Sequence, residues 1–233
     1  MPANSCQKDK RGEKKETTGI DEEIGWFVPG FYGTDIKTVQ MKKDIVLAGV
    51  GGQGILSIAA IIGTAAIKAG MYLKQAEVHG MSQRGGDVQS NLRISEKPIH
   101  SDLIPLGGAD LIISIEPMEG LRYLPLLSDK GWLITNTKPH INIPNYPDIK
   151  DVMAEVEKVG NHIAVDADVI AKEVANSKAA NIVILGAASP YLGFTEEQLA
   201  AAIENIFGNK GAEVVESNLK ALRAGREFAL STA

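Results

Sequence analysis

Short runs of branched apolar residues alternate along this chain with longer segments of helical spacing. Residues 45–50, Ile-Val-Leu-Ala-Gly-Val, form a continuous run of buried-strand length. Residues 55–69 are alanine-rich and free of proline, and they predict a helix. Residues 71–78 predict a second, short strand. From Asp87 to Ser95 the pattern alternates, with Val88, Ser90, Leu92 and Ile94 on one face and Gln89, Asn91 and Arg93 on the other. That is a half-buried strand. Glu96-Lys97-Pro98 turns the chain, and Ile99 to Ile104 predicts an antiparallel hairpin partner for it.

The second half continues the alternation. Ala109 to Ile115 reads as a buried strand, and Pro117 suits the first turn of a helix reaching about Leu127. Gly131 to Thr135 is another strand, and His140 to Pro147 is extended and punctuated by proline. Asp148 to Val159 has helical spacing, His162 to Val165 is a short strand, and Asp166 can cap a helix through Val174. Asn181 to Ala188 is apolar throughout, so periodicity leaves a helix and a buried segment both open. Thr195-Glu196-Glu197-Gln198 is a capping box before an amphipathic helix ending near Phe207. Gly208 and Gly211 separate it from a last helix, about Ala212 to Ala229. The alternation predicts a three-layer α/β/α, Rossmann-like domain over residues 41–233. Its sheet is mostly parallel, with an inserted antiparallel hairpin.

The first strand and helix are joined by Gly49-Val50-Gly51-Gly52-Gln53-Gly54. Glycines at GxGxxG spacing allow a tight turn, backbone approach to a phosphate, and close packing of helix on strand. The helix N-terminus then presents unpaired N–H groups to that turn. A nucleoside triphosphate loop is disfavoured, because Ile55 and Leu56 stand where that motif needs Lys and Ser or Thr. A glycine-rich connection without ligand is the alternative reading of the spacing. Glu77 stands near the place where a dinucleotide fold binds a ribose hydroxyl, slightly late. A nicotinamide-dependent dehydrogenase is therefore one candidate, though the predicted hairpin interrupts the crossover such a fold needs.

The loop His79-Gly80-Met81-Ser82-Gln83-Arg84-Gly85-Gly86 carries the second candidate chemistry. The guanidinium of Arg84 can grip a phosphate through two parallel hydrogen bonds, and the glycine pair keeps the approach open. A surface salt bridge is the alternative. Glu77 and His79 share a face if the strand continues. They can act as an acid–base pair or brace the loop, and bracing is the simpler role.

Composition narrows the rest. The 233 residues carry a net charge of −5, with 44% hydrophobic and only 5% aromatic residues. No basic excess points to nucleic acid or an anionic membrane, and a base-stacking surface is unsupported. Cys6 is the one cysteine, too few for a disulfide, a cysteine zinc site or a cysteine-ligated cluster. Redox metal chemistry thus belongs on another chain, and a cytoplasmic setting fits. His100, His140 and His162 show no ligand spacing, and no metal site is expected. Residues 1–40 differ from the rest. Gln7 to Thr18 is charged and aperiodic, so disorder is expected, while Trp26, Phe27, Phe31 and Tyr32 suggest a docking arm or a mere leader. Met41 stands just before the first strand, so a start there would give a complete domain.

Four segments together carry a resemblance: Gly49 to Gly54, Glu77 to Gly86, Asn181 to Gly186, and Asn218 to Gly225. In this order they resemble the gamma-type domain of the 2-oxoacid:ferredoxin oxidoreductases, and within it the small (beta) subunits of the indolepyruvate type. The resemblance covers about Lys42 to Phe228, and the Glu77 to Gly86 loop is its specific part. It implies a subunit, inactive alone, of a complex that converts a 2-oxoacid and coenzyme A to acyl-CoA and carbon dioxide while reducing ferredoxin. It places thiamine diphosphate and the iron–sulfur clusters on the large (alpha) partner subunit. It implies contact with coenzyme A or the partner at Gly49, Gly51, Gly52, Gln53, Gly54, Glu77, Gln83, Arg84, Gly85 and Gly86. It assigns no catalytic residue to this chain.

Overall fold

The computed structural model describes residues 41–80, 85–141 and 143–232. The leader expected over residues 1–40 lies outside them, as do Gln83 and Arg84. Among the described residues, six strands and seven α-helices follow one another: β1 Lys42–Val50, α1 Ile55–Lys68, β2 Tyr72–His79, β3 Asp87–Ser95, β4 Ala109–Ser114, α2 Pro117–Arg122, β5 Leu127–Asn136, α3 Ile149–Glu157, β6 His162–Val165, α4 Ala167–Val174, α5 Ala180–Leu192, α6 Glu196–Phe207 and α7 Ala212–Thr232.

They build one sheet in the order β2-β3-β1-β4-β5-β6. The strands β1, β4, β5 and β6 are parallel, and β3 runs antiparallel to both its neighbours. Sequence pattern predicted the inserted hairpin but paired it wrongly. The partner of β3 is β2, with Glu77 opposite Ser90, and residues 99–104 form no strand. Arg93 supplies the physical reason. Its Nη1 donates to the carbonyls of Ser101 at 3.1 Å and Leu103 at 3.0 Å, holding that segment as a loop. The rest of the guanidinium forks onto the buried Asp44, Nε to Oδ1 at 2.7 Å and Nη2 to Oδ2 at 3.0 Å. Only a side chain that satisfies the Asp44 charge makes its burial tolerable.

The two faces of the sheet are covered unequally. Ile45, Leu47, Leu92, Leu111 and Ile134 point to the larger core with α1, α4, α5, α6 and α7. Val46, Ile112 and Leu133 point to a smaller one closed by Leu121 of α2 and by Met153 and Val156 of α3. Pro117 opens α2 as expected, but the helix stops at Arg122, and a 3-10 turn over Leu124–Leu126 leads directly into β5. Asp166 caps α4 through Val169 N–H, and the Thr195–Gln198 capping box opens α6.

The segment whose periodicity was undecided is α5, apolar all round because it is packed between the sheet and α7. Pro190 deprives the Gly186 carbonyl of its helical donor. Ser189 Oγ donates to that carbonyl instead at 2.7 Å, and Arg226 of α7 donates to Ser189 Oγ at 2.9 Å. The two helices cross backbone to backbone. A methyl group at Gly186 would overlap the Leu222 carbonyl oxygen, and one at Gly225 would overlap that of Val183.

Candidate functional site

The site forms where β1 ends and the sheet reverses direction toward β3, at the carboxyl end of the parallel strands. Gln53 closes the turn on itself. Its N–H donates to the Val50 carbonyl at 3.1 Å, and its Oε1 accepts from Val50 N–H at 2.7 Å. The Gln53 side-chain acceptor is thereby spent inside the turn. A Cβ at Gly49 would press on it at 3.0 Å, so Gly49 serves turn closure. Gly54, at φ 89°, leaves room for Asn181, whose Nδ2 donates to the Gly54 carbonyl at 3.2 Å. Gly52, at φ 102°, has open space where its side chain would stand. Among the described residues no side chain caps α1, so its first N–H groups are left at the turn.

A cleft of about 290 Å³ opens here, lined by Gly51, Gly52, Gly54, Leu56, Glu77 and His79 among others. The glycine turn and the second loop are tied together, Gly51 N–H donating to the Gly86 carbonyl at 2.9 Å. Gly80 N–H donates to the Asp87 carbonyl at 3.0 Å and closes the base of the loop. Burial, and after it the nearby Asp87 carboxylate, push the Tyr123 hydroxyl up to about 12. Gly85 has φ 78° and open space at its Cβ position. The predicted site residues Gly51, Gly52, Gly54, Glu77 and Gly86 are therefore brought together, while Gly49 and Gln53 act within the turn.

Glu77 and His79 do meet, with His79 Nε2 at 2.6 Å from Glu77 Oε1. That oxygen is buried and the contact lacks hydrogen-bond geometry, so the two side chains pack against each other at the cleft wall. The ribose reading of Glu77 fails on topology. A dinucleotide fold lays its second strand beside the first, and here β3 stands between β1 and β2.

Glu116 was missed in the sequence. Its carboxylate is 1% exposed at the end of β4. It accepts from Glu119 N–H at 2.8 Å, from His140 N–H at 3.4 Å and from the Tyr146 hydroxyl. The signal was present as an acid directly before Pro117, with Glu119 three residues on. Burial raises Glu119, and Arg122 at 2.8 Å offsets this only in part. Tyr146 and Lys150 have the Tyr-x-x-x-Lys spacing of a dehydrogenase relay, but Tyr146 precedes α3 and its hydroxyl is committed to Glu116. Among the described residues no cluster of His, Cys, Asp and Glu suits a metal ion, and no helix is long and apolar enough to cross a membrane.

The antiparallel insertion, the closed glycine turn and the facing loop define a Rossmann-like subunit domain distinct from a dinucleotide dehydrogenase. The chain belongs to the pyruvate ferredoxin/flavodoxin oxidoreductase family, whose model matches residues 44–228. It is 38% identical over 200 residues to the indolepyruvate oxidoreductase subunit IorB of Archaeoglobus fulgidus, covering 82% of this chain and 97% of that one. The IorB subunit of Methanothermobacter thermautotrophicus is 36% identical, with 79% and 96% covered. Among solved structures, the pyruvate oxidoreductase subunit PORC of Thermotoga maritima superposes with TM-score 0.63 at 25% identity, covering 80% of this chain and 96% of that one.

Proposed function

We propose that this chain is the small subunit of a cytoplasmic, thiamine-diphosphate-dependent 2-oxoacid:ferredoxin oxidoreductase of the indolepyruvate type. It works with a large subunit and, through the complex, with ferredoxin. The reading rests above all on the junction of the two loops, Gly51 N–H to the Gly86 carbonyl at 2.9 Å. That bond holds the end of the second loop at Gly86 against the glycine turn, beside the first N–H groups of α1 and the open flank of Gly52. Identity to the IorB subunits along most of both chains supports the indolepyruvate assignment.

The cleft suits one anionic group of coenzyme A. Backbone N–H groups donate, and Gly52 and Gly85 leave space; Arg84, two residues before Gly86 in sequence, is the cation this reading assigns to the anionic group. Coenzyme A supplies the thiol that carries away the acyl group. This chain binds and orients it. The single cysteine cannot hold a cysteine-ligated cluster. This reading follows the family resemblance in giving the clusters and the thiamine diphosphate to the large subunit, and the small subunit alone is then inactive.

The test is acyl-CoA formation by the reconstituted complex. Arg84→Ala is expected to lower kcat/KM for coenzyme A by about 1.5–3 kcal/mol, the worth of a hydrogen bond to a charged group. Arg84→Lys restores it only in part, because lysine lacks the planar fork. Unchanged coenzyme A dependence overturns the phosphate role. Failure of the variant to assemble, with folding intact, moves Arg84 to the subunit interface.

A further inference from the structure

A cavity of about 600 Å³ lies at the end of the sheet opposite the cleft, where β1 begins and β3 finishes. That volume is within the range of small-ligand sites. Lys42 lines this cavity and Val50 lines the cleft. They are the two ends of the nine-residue β1, roughly 25 Å apart at about 3.3 Å per residue. The loop from Lys97 to Ser101 forms one wall, with Pro98 and Ile99 as its apolar part.

The cavity holds donors in excess of acceptors. A guanidinium has five N–H groups. Arg93 commits Nε and one N–H of Nη2 to Asp44, and Nη1 to the carbonyls of Ser101 and Leu103. The second N–H of Nη2 has no partner among the described residues, and the side chain is only 14% exposed. A donor so placed has lost water without gaining an acceptor. Lys42 makes one contact, to Asp44 at 2.7 Å, and Lys97 forms no ion pair among the described residues. Ser95 Oγ accepts from Lys97 N–H and Ser101 Oγ from Leu103 N–H, and neither hydroxyl donates to a described residue. The three cations face one carboxylate, Asp44, whose oxygens are taken by Arg93 and Lys42. Glu96 and Asp102 flank the loop but do not line the cavity. In a chain of net charge −5 this is a local reversal of sign.

We infer that this cavity binds a small aliphatic carboxylate. The charged group takes the spare Arg93 N–H and the Lys97 ammonium, and the apolar body lies along Pro98 and Ile99. Inorganic phosphate would meet the same cations but gain nothing from the apolar wall. The inference is independent of the coenzyme A reading, because no residue of the cleft takes part.

Calorimetric titration of the full chain tests this, with hexanoate, its neutral amide, acetate and inorganic phosphate as probes. Hexanoate is expected to bind about tenfold or more tightly than hexanamide, which lacks the charge that Arg93 and Lys97 recognise. It should also exceed acetate and phosphate, which have no chain to bury. Lys97→Ala should weaken hexanoate by about fivefold, and Lys97→Glu by more. Lys97 is exposed, so both variants should melt with the wild type. Ile99→Ser should weaken hexanoate and leave acetate unchanged. Absence of hexanoate binding to the wild type, equal affinity for the amide, or equal affinity in Lys97→Ala overturns the inference. Phosphate bound more tightly than hexanoate overturns it too, and makes the cavity a phosphate site.

Discussion

Two groups of glycines in this chain do opposite work. At the crossing of α5 and α7, Gly186 and Gly225 exist because a carbonyl oxygen of the other helix occupies the place of a side chain. At the β1–α1 turn, no described residue comes within 4 Å of that place at Gly52. The first pair is explained entirely by the chain itself. The second is not: φ 102° accounts for glycine there, but the vacant flank opens on the cleft. Gly54 stands between the two cases, filled by Asn181 on one side and lining the cleft on the other. A glycine motif is thus divisible by what each missing Cβ would meet, and only the fraction facing open space argues for a ligand.

The sharpest test of that division is Gly186→Ala or Gly225→Ala. Helix propensity alone would favour alanine by about 1 kcal/mol. Overlap with a backbone carbonyl cannot be relieved by a rotamer change, so the helices must separate. The expected loss is about 3 kcal/mol or more for each, at the upper end of overpacking costs, read from urea midpoints. A neutral or stabilising result at either position would dissolve the comparison.

A smaller effect is expected at Gly54. Alanine there carries about 1–2 kcal/mol of left-handed strain, and its Cβ would stand 2.5 Å from Asn181 Nδ2. The lost Asn181 hydrogen bond adds about 1 kcal/mol. Part of this cost belongs to the pair, so Gly54→Ala should cost less in an Asn181→Ala background. Strict additivity in that double-mutant cycle would show that Asn181 does not set the space around Gly54.

Much of this architecture was legible. The run 45–50, the glycine turn, Asp166 and the Thr195 capping box each follow local rules, and the structure places them as those rules require. The partner of β3 was not legible. Residues 71–78 and 99–104 are both short and of mixed polarity, and the choice between them falls to Arg93, which ties the second to Asp44 as a loop. Helix α5 escaped for a similar reason, since burial on all sides erases the periodicity that would identify it. Within the site, the cleft glycines and Glu77 were visible as residue types at suggestive spacing. The commitment of Gln53 to Val50, and of Asn181 to Gly54, needed the fold. Glu116 became meaningful only once Tyr146 and His140, thirty and twenty-four residues away, were seen to converge on it.

Acid provides a test of whether both glycine regions belong to one cooperative unit. At Asp44, burial raises the carboxyl, but hydrogen bonds from Arg93 and Lys42 outweigh it and hold the group below its ordinary range. At Asp168, burial is likewise outweighed by Lys138 and Asn136. A carboxyl lowered by folding stabilises fully above its unfolded value, and that contribution is lost as pH falls through the folded one, below about pH 4. Glu119 runs the other way, because burial raises it and protonation relieves the folded state. Two groups oppose one, so the urea midpoint should fall between pH 5 and pH 3. Hydrogen exchange in α1 and α5 should accelerate together. Protection lost in α1 while α5 keeps it would mean that the open and closed regions are separate units.

The smallest effect on folding is expected from Gly52→Ala. The backbone at φ 102° imposes roughly 1 kcal/mol of strain on any L residue, and no neighbour adds a clash. The variant should fold, assemble and melt only slightly earlier than the parent. Its methyl group, however, would project into the cleft beside the first N–H groups of α1, where a close approach of backbone to an anion is proposed. Coenzyme A use by the reconstituted complex should then suffer out of proportion to stability, chiefly as a raised KM. Gly186→Ala should show the reverse, with stability lost and KM retained in whatever fraction remains folded. If Gly52→Ala instead leaves coenzyme A kinetics untouched, the open flank of the turn has no ligand to admit. Gly52 would then join Gly186 as a glycine demanded by the backbone alone.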